Sequence, residues 1–130
     1  MTRLQDCSAT RAALVPEGPL PALEPGVAKE VFFICREALT HVARHAQATQ
    51  VELGWRSAGA AAWFTVVDDG SGLEALAATS DSAIGLIGMH ERARLCGGTL
   101  SFEPNLPQGT RVTVQVPCSA PCVRPGQVAF

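Results

Sequence analysis

The sequence has no run of basic residues, and its formal net charge is −2. A nucleic-acid partner, which needs concentrated positive surface, is therefore not expected. No apolar stretch approaches the roughly 20 residues that span a bilayer, so no membrane contact is expected of this segment. The opening Met1-Thr2-Arg3-Leu4-Gln5-Asp6-Cys7 has one arginine and no apolar core behind it, unlike a signal peptide. Internal repeats are absent. The five cysteines (Cys7, Cys35, Cys96, Cys118, Cys122) are odd in number and follow no framework spacing. Cys35 and Cys96 fall in helix-like patterns, where a reduced thiol acts as a small apolar group, which suits a reducing cytoplasm. Cys118 and Cys122 stand close enough to pair or to hold a metal. A single C-x-x-x-C in a proline-containing tail is a weak pattern, however, and separate thiols are the plainer reading.

What is present suits one folded domain. Hydrophobic residues make up 47% and charged ones 17%, which excludes a disordered chain. A length of 130 residues can bury a core without disulfides or metal. Residues 1–10 read as a flexible leader, 11–117 as the domain and 118–130 as a disordered tail. Within the domain, 11–15 suggests a short edge strand, and the Pro-Gly-rich stretch 16–21 a rigid connector. Val31, Ile34, Cys35, Ala38, Val42 and Ala46 recur at helical spacing, predicting a long amphipathic helix over 27–46. Alternation then predicts two strands, with Val51, Leu53 and Trp55 on one face of the first and Trp63, Thr65 and Val67 on one face of the second. The polar, alanine-rich stretch 74–83 suggests a mobile lid. A second helix is expected over 86–96, stopped by Gly97-Gly98, and a hairpin over 100–116. Strand pairs close in sequence have no room for crossovers. The expected fold is α+β, with a mixed, mostly antiparallel sheet and helices on one face.

Three segments carry chemistry. On the first helix Glu37, His41, Arg44 and His45 fall within roughly 100° of arc, bordering the apolar stripe. After the second strand come Asp68-Asp69-Gly70-Ser71-Gly72. A carboxylate at a strand end can accept a hydrogen bond from an exocyclic amine, and glycines let a flat ring approach. Gly85-Leu86-Ile87-Gly88-Met89 is expected to open the second helix, where free amides and the helix dipole suit phosphate. Each segment alone is weak, because polar helix faces and Asp-Gly turns are common.

In this order the segments resemble the ATP-binding domain of sensor histidine kinases, with the nitrate-sensor-like subfamily nearest within the gyrase, Hsp90, histidine kinase and MutL superfamily. The resemblance rests on residues 36–49, on 68–72, on Gly85-Leu86-Ile87-Gly88-Met89-His90-Glu91-Arg92 and on Gly109-Thr110. It implies a two-layer sandwich with ATP between helix and lid. It also implies that Asp68 binds the adenine amine, that Gly70 and Gly72 shape the adenine pocket and that Thr110 supports that end. Gly85, Leu86 and Gly88 would face the phosphates, Arg44 and His45 would border them, and Glu37 would act as base toward a histidine on a separate dimerisation domain. ATP and Mg²⁺ are the implied ligands, and a response regulator the indirect partner.

Two departures stand out. The family carries asparagine where this chain has His41, and its oxygen helps hold Mg²⁺, a hard ion poorly served by imidazole. No histidine box appears, since His41, His45 and His90 all lie inside the ATP-site motifs; the chain reads as a fragment of a longer kinase, whose parent can be membrane-anchored. A degenerate nucleotide sensor or an anti-sigma-factor-like regulator is the alternative, favoured by His41. A transition-metal site of Glu37, His41 and His45 is a third reading. Val42 follows His41, so the zinc-protease pattern is absent.

Overall fold

The computed structural model describes residues 2–7, 10–43, 48–70, 80–105 and 107–118. Its strands are β1 (Thr2–Cys7), β2 (Thr10–Pro16), β3 (Gln50–Ala58), β4 (Ala61–Asp68), β5 (Thr99–Pro104) and β6 (Thr110–Pro117). Its helices are α1 (Pro25–His41) and α2 (Ser80–Leu95). The strands form one sheet in the order β1-β2-β3-β4-β6-β5. The pair β2–β3 is parallel, joined through α1, and the other neighbours are antiparallel. This is the α+β, mixed and mostly antiparallel sheet that the sequence predicts.

Helix α1 begins with a proline in its first turn, where the missing N–H is no loss. It buries Val31, Ile34, Cys35, Ala38 and His41 along one stripe. That stripe packs on Met89 and Ala93 of α2 and on Phe64, Val66, Val112, Val114 and Val116 of the sheet, giving one core between two layers. In β4, buried Ala62, Phe64, Val66 and Asp68 alternate with half-buried neighbours. Trp63, Thr65 and Val67 therefore do share a face, and it is the outer one, away from the helices.

Helix α2 stops where glycine demands it. Gly97 has φ of +76°, while Gly98 N–H donates to the Ala93 carbonyl at 2.8 Å and Gly97 N–H to the Arg94 carbonyl at 3.1 Å, a paired C-terminal closure. A Cβ on Gly98 would stand 2.4 Å from the Gln115 carbonyl oxygen, so the second glycine serves the approach of the helix end to β6.

The structure differs from the sequence-based expectations in three places. Thr2–Cys7, inside the expected flexible leader, form β1, so β2 is an interior strand and not the edge. Helix α2 starts at Ser80, so the end of the expected lid, 80–83, is helical; residues 71–79 lie outside the described residues. Helix α1 runs to His41, Val42 keeps helical angles and donates to the Ala38 and Leu39 carbonyls, and residues 44–46 of the expected helix lie outside the described residues. Of the expected tail, 118–130, Cys118 is buried with its N–H donating to the Ala60 carbonyl at 2.7 Å, and 119–130 lie outside the described residues.

Candidate functional site

Two groups of residues form around the helix-facing side of the sheet. The first is at the end of β4. Asp68 is 5% exposed, on the helix side by the alternation of its strand. The Gly70 N–H donates to its Oδ1 at 2.7 Å, and the Thr110 amide also bonds the carboxylate. Burial pushes the Asp68 pKa above its ordinary value. The Gly70 amide pulls it back, the Asp69 charge pushes it up again and the Thr110 amide pulls it down, leaving a net rise. Thr110 is buried at 3% exposure. The turn before it reaches β4 because Gly109 has φ of +118°, and a Cβ there would stand 1.9 Å from the Asp68 carbonyl oxygen. Asn105 Nδ2 donates to that same oxygen at 2.9 Å.

The adjacent Asp69 has a different task. Its carboxylate accepts the Thr49 N–H at 2.8 Å, the Gln50 N–H at 3.1 Å and the Thr49 hydroxyl, fixing the start of β3. Burial raises its pKa, but these hydrogen bonds outweigh burial and hold it below the ordinary value. The sequence places Asp69 in the acidic-glycine motif without a role of its own, and Asn105 lies in a loop with no distinguishing spacing.

The second group joins the helices. A Cβ on Gly85 would lie 2.7 Å from Glu37 Oε2 and 3.0 Å from His41 Nε2, so Glu37, His41 and Gly85 pack directly together. Because α2 begins at Ser80, Gly85 lies in its second turn, and its amide belongs to the helix instead of being free for phosphate. The expectation that Gly85 and Gly88 open the helix is corrected accordingly; what Gly85 supplies is room for two side chains of α1. Glu37, Gly85 and Gly88 line a cavity of about 280 Å³ with Phe33, Arg36, Met89 and Arg92. Leu86, half-buried on α2, is not part of that wall.

Arg36 and Arg92 stand in the resembling segments with no role assigned from the sequence, and Phe33 lies outside them. The signal was available: Arg36 precedes Glu37, and Phe33 lies one turn before Arg36. What no spacing could show was Arg92 arriving from the other helix, its Cζ 4.3 Å from the Phe33 ring centroid.

The structure thus brings Asp68, Gly70 and Thr110 together, and Glu37, His41, Gly85 and Gly88 together. Asp68 and Asp69 border a different cavity of about 380 Å³ that shares no lining residue with the one between the helices. The segments linking the two groups, 44–47 and 71–79, lie outside the described residues, and Arg44, His45 and Gly72 with them. Among the described residues no group of three potential metal ligands occurs. His41 is 5% exposed and offers nitrogen, so of the two side chains on Gly85 only Glu37 has the oxygen donor that Mg²⁺ prefers. Residue 41 does not fit an Mg²⁺ ligand.

A two-layer sandwich with a buried aspartate at an interior strand end, and Gly85 packed on Glu37 and His41 of the facing helix, suits a nucleotide-binding class of domain. The chain belongs to the histidine kinase-, DNA gyrase B- and HSP90-like ATPase family, whose profile matches residues 26–120. It is 32% identical over 93 residues to the sensor histidine kinase YxjM of Bacillus subtilis (strain 168), covering 72% of this chain and 22% of that protein. It is 38% identical over 88 residues to the signal transduction histidine-protein kinase/phosphatase UhpB of Salmonella typhimurium, covering 67% and 17%. The chain therefore spans about a fifth of the length of these curated relatives. Among solved structures, the ATP binding domain of PrrB from Mycobacterium tuberculosis matches with a TM-score of 0.65 at 24% identity, covering 84% of this chain and 80% of that one. The blue-light activated histidine kinase EL346 of Erythrobacter litoralis matches at 0.68 and 20%, covering 86% and 36%. These likenesses establish the fold. The domain is of the histidine kinase ATP-binding type.

Proposed function

We propose that this domain binds ATP with its adenine at Asp68 and its phosphates toward Glu37, and donates the γ-phosphoryl group to a histidine on a separate dimerisation domain. The observation that carries the reading is the contact of Gly85 with Glu37 and His41, which joins a carboxylate of one helix to a glycine of the other. In this reading the Asp68 carboxylate accepts from the adenine amine, and Gly70, Gly72 and Thr110 frame the ring. Gly85, Leu86 and Gly88 belong to the phosphate side, with Arg44 and His45. An acceptor imidazole nitrogen attacks the γ-phosphorus, the bond to the β–γ bridging oxygen breaks, and ADP leaves. Glu37 takes the proton released by the imidazole, a role that needs hydrogen-bond reach, which the incoming domain supplies. Mg²⁺, when bound with ATP, neutralises phosphate charge. The histidine domain has an approach over α1 and α2, where Phe32 and Ile87 stay 60% and 70% exposed. A response regulator would then receive the phosphoryl group, in the cytoplasm.

Calorimetric titration with ATP and a transfer assay on a separately supplied histidine domain test this. Glu37→Gln is expected to keep ATP affinity and to slow transfer by roughly 10²- to 10⁴-fold, the range of a lost general base. No heat with ATP in the wild type would remove the reading. His41→Asn is expected to raise the transfer rate, because amide oxygen serves Mg²⁺ better than imidazole; an unchanged rate would detach residue 41 from that role.

A further inference from the structure

We propose that Arg36 and Arg92 form a guanidinium clamp for the terminal phosphoryl group of the nucleotide, an inference that rests on the ATP reading above and gives a role to residues it leaves idle. Both side chains line the cavity between α1 and α2 with Glu37, Gly85 and Gly88. The Cζ of Arg36 is 4.6 Å and that of Arg92 4.3 Å from the centroid of one ring, Phe33. An aromatic ring attracts a cation without neutralising it, so Phe33 gathers two positive charges from two helices. Arg92 is matched by Glu30, with Nη1 2.9 Å from Oε1. Among the described residues Arg36 has no ion-pair partner.

Position selects which phosphate they would meet. Their cavity contains Glu37, beside which the reacting group must pass, and none of Asp68, Gly70 or Thr110. A γ-phosphoryl group arriving beside the Glu37 carboxylate meets like-charge repulsion, and fixed cations offset it without reorganising during the reaction. The planar guanidinium fork matches paired phosphate oxygens in a way that an ammonium does not. Contact with Phe33 restrains both guanidinium groups before the nucleotide arrives. With nitrogen in place of oxygen at residue 41, fixed positive charge takes a larger share of this task.

The experiment measures Kd for ATP and for ADP, with the wild type, Arg36→Gln, Arg92→Gln and two controls. Arg94→Gln removes an exposed arginine on the same helix, and Glu30→Gln breaks the Arg92 ion pair while keeping the guanidinium. Arg36→Gln and Arg92→Gln are expected to weaken ATP about tenfold or more, the loss of one charge-assisted contact, and to leave ADP unchanged. Both controls should keep the wild-type ratio. Arg36→Gln breaks no ion pair among the described residues, so it decides the matter where Arg92→Gln melts early. Equal losses for ATP and ADP, or none, overturn the clamp and leave the ATP reading standing. A wild type that binds neither nucleotide overturns both.

Discussion

Asp68 and Asp69 stand side by side with pKa values shifted in opposite directions, because one is buried on the helix side while the other is tied to the backbone of β3. For Asp68 the folded pKa is raised by burial, so the native state holds the proton more tightly than the unfolded chain. Its contribution to stability is present below the unfolded pKa and is lost as pH rises through the folded pKa. An adenine amine needs the ionised form, so binding has the opposite slope. Lowering pH from neutral is expected to weaken ATP binding before ordinary aspartates protonate. Asp68→Asn should abolish that step in a plot of log Kd against pH, and a step that survives in the variant would assign it to another group. Asp69 contributes stability above its unfolded pKa, lost as pH falls through its lower folded value.

At the scale of elements, the two helices meet where a side chain is missing. Gly85→Ala sets two effects against each other. Alanine favours an interior helix position by about 0.8–1.0 kcal/mol over glycine. The added methyl would also press on Glu37 Oε2, the far end of a flexible side chain that can swing away, and more lightly on Nε2 of the buried His41 at 3.0 Å. The expected outcome is a melting temperature within a few degrees of wild type, together with phosphotransfer reduced by up to about 10²-fold as the carboxylate is displaced. Thermal melts beside transfer rates check it; a large drop in melting temperature would mean that the helices cannot adjust. Helix boundaries were only partly legible. The 31-34-35-38 spacing and Gly97 marked α1 and the end of α2, since both depend on neighbours in the chain. The start of α2 did not show. Ser80-Asp81-Ser82-Ala83 reads as a polar loop, and Ile87 and Leu95, exposed at 70% and 65%, blur its apolar stripe.

On the scale of the whole molecule, Cys35 reports on the core. It lies among Val31, Ile34 and Ala38, and burial pushes its thiol up to about 12. In a variant carrying no other cysteine, Cys35 is expected to resist a thiol reagent at pH 8 and to react only at the rate of unfolding. Fast labelling of the native protein would show that the two layers open locally. The α+β class, the apolar face of α1 and the order of the glycine and acidic motifs were legible in the chain alone. These follow from periodicity and from residue types that restrict their own backbone. Tertiary structure alone decided that Thr2–Cys7 pair with β2, that Asp68 is buried while Asp69 ties down β3, and that Arg36 and Arg92 share one ring. Those outcomes join residues up to 59 positions apart. Which of them meet depends on how the helices settle on a twisted sheet, and no local pattern encodes that.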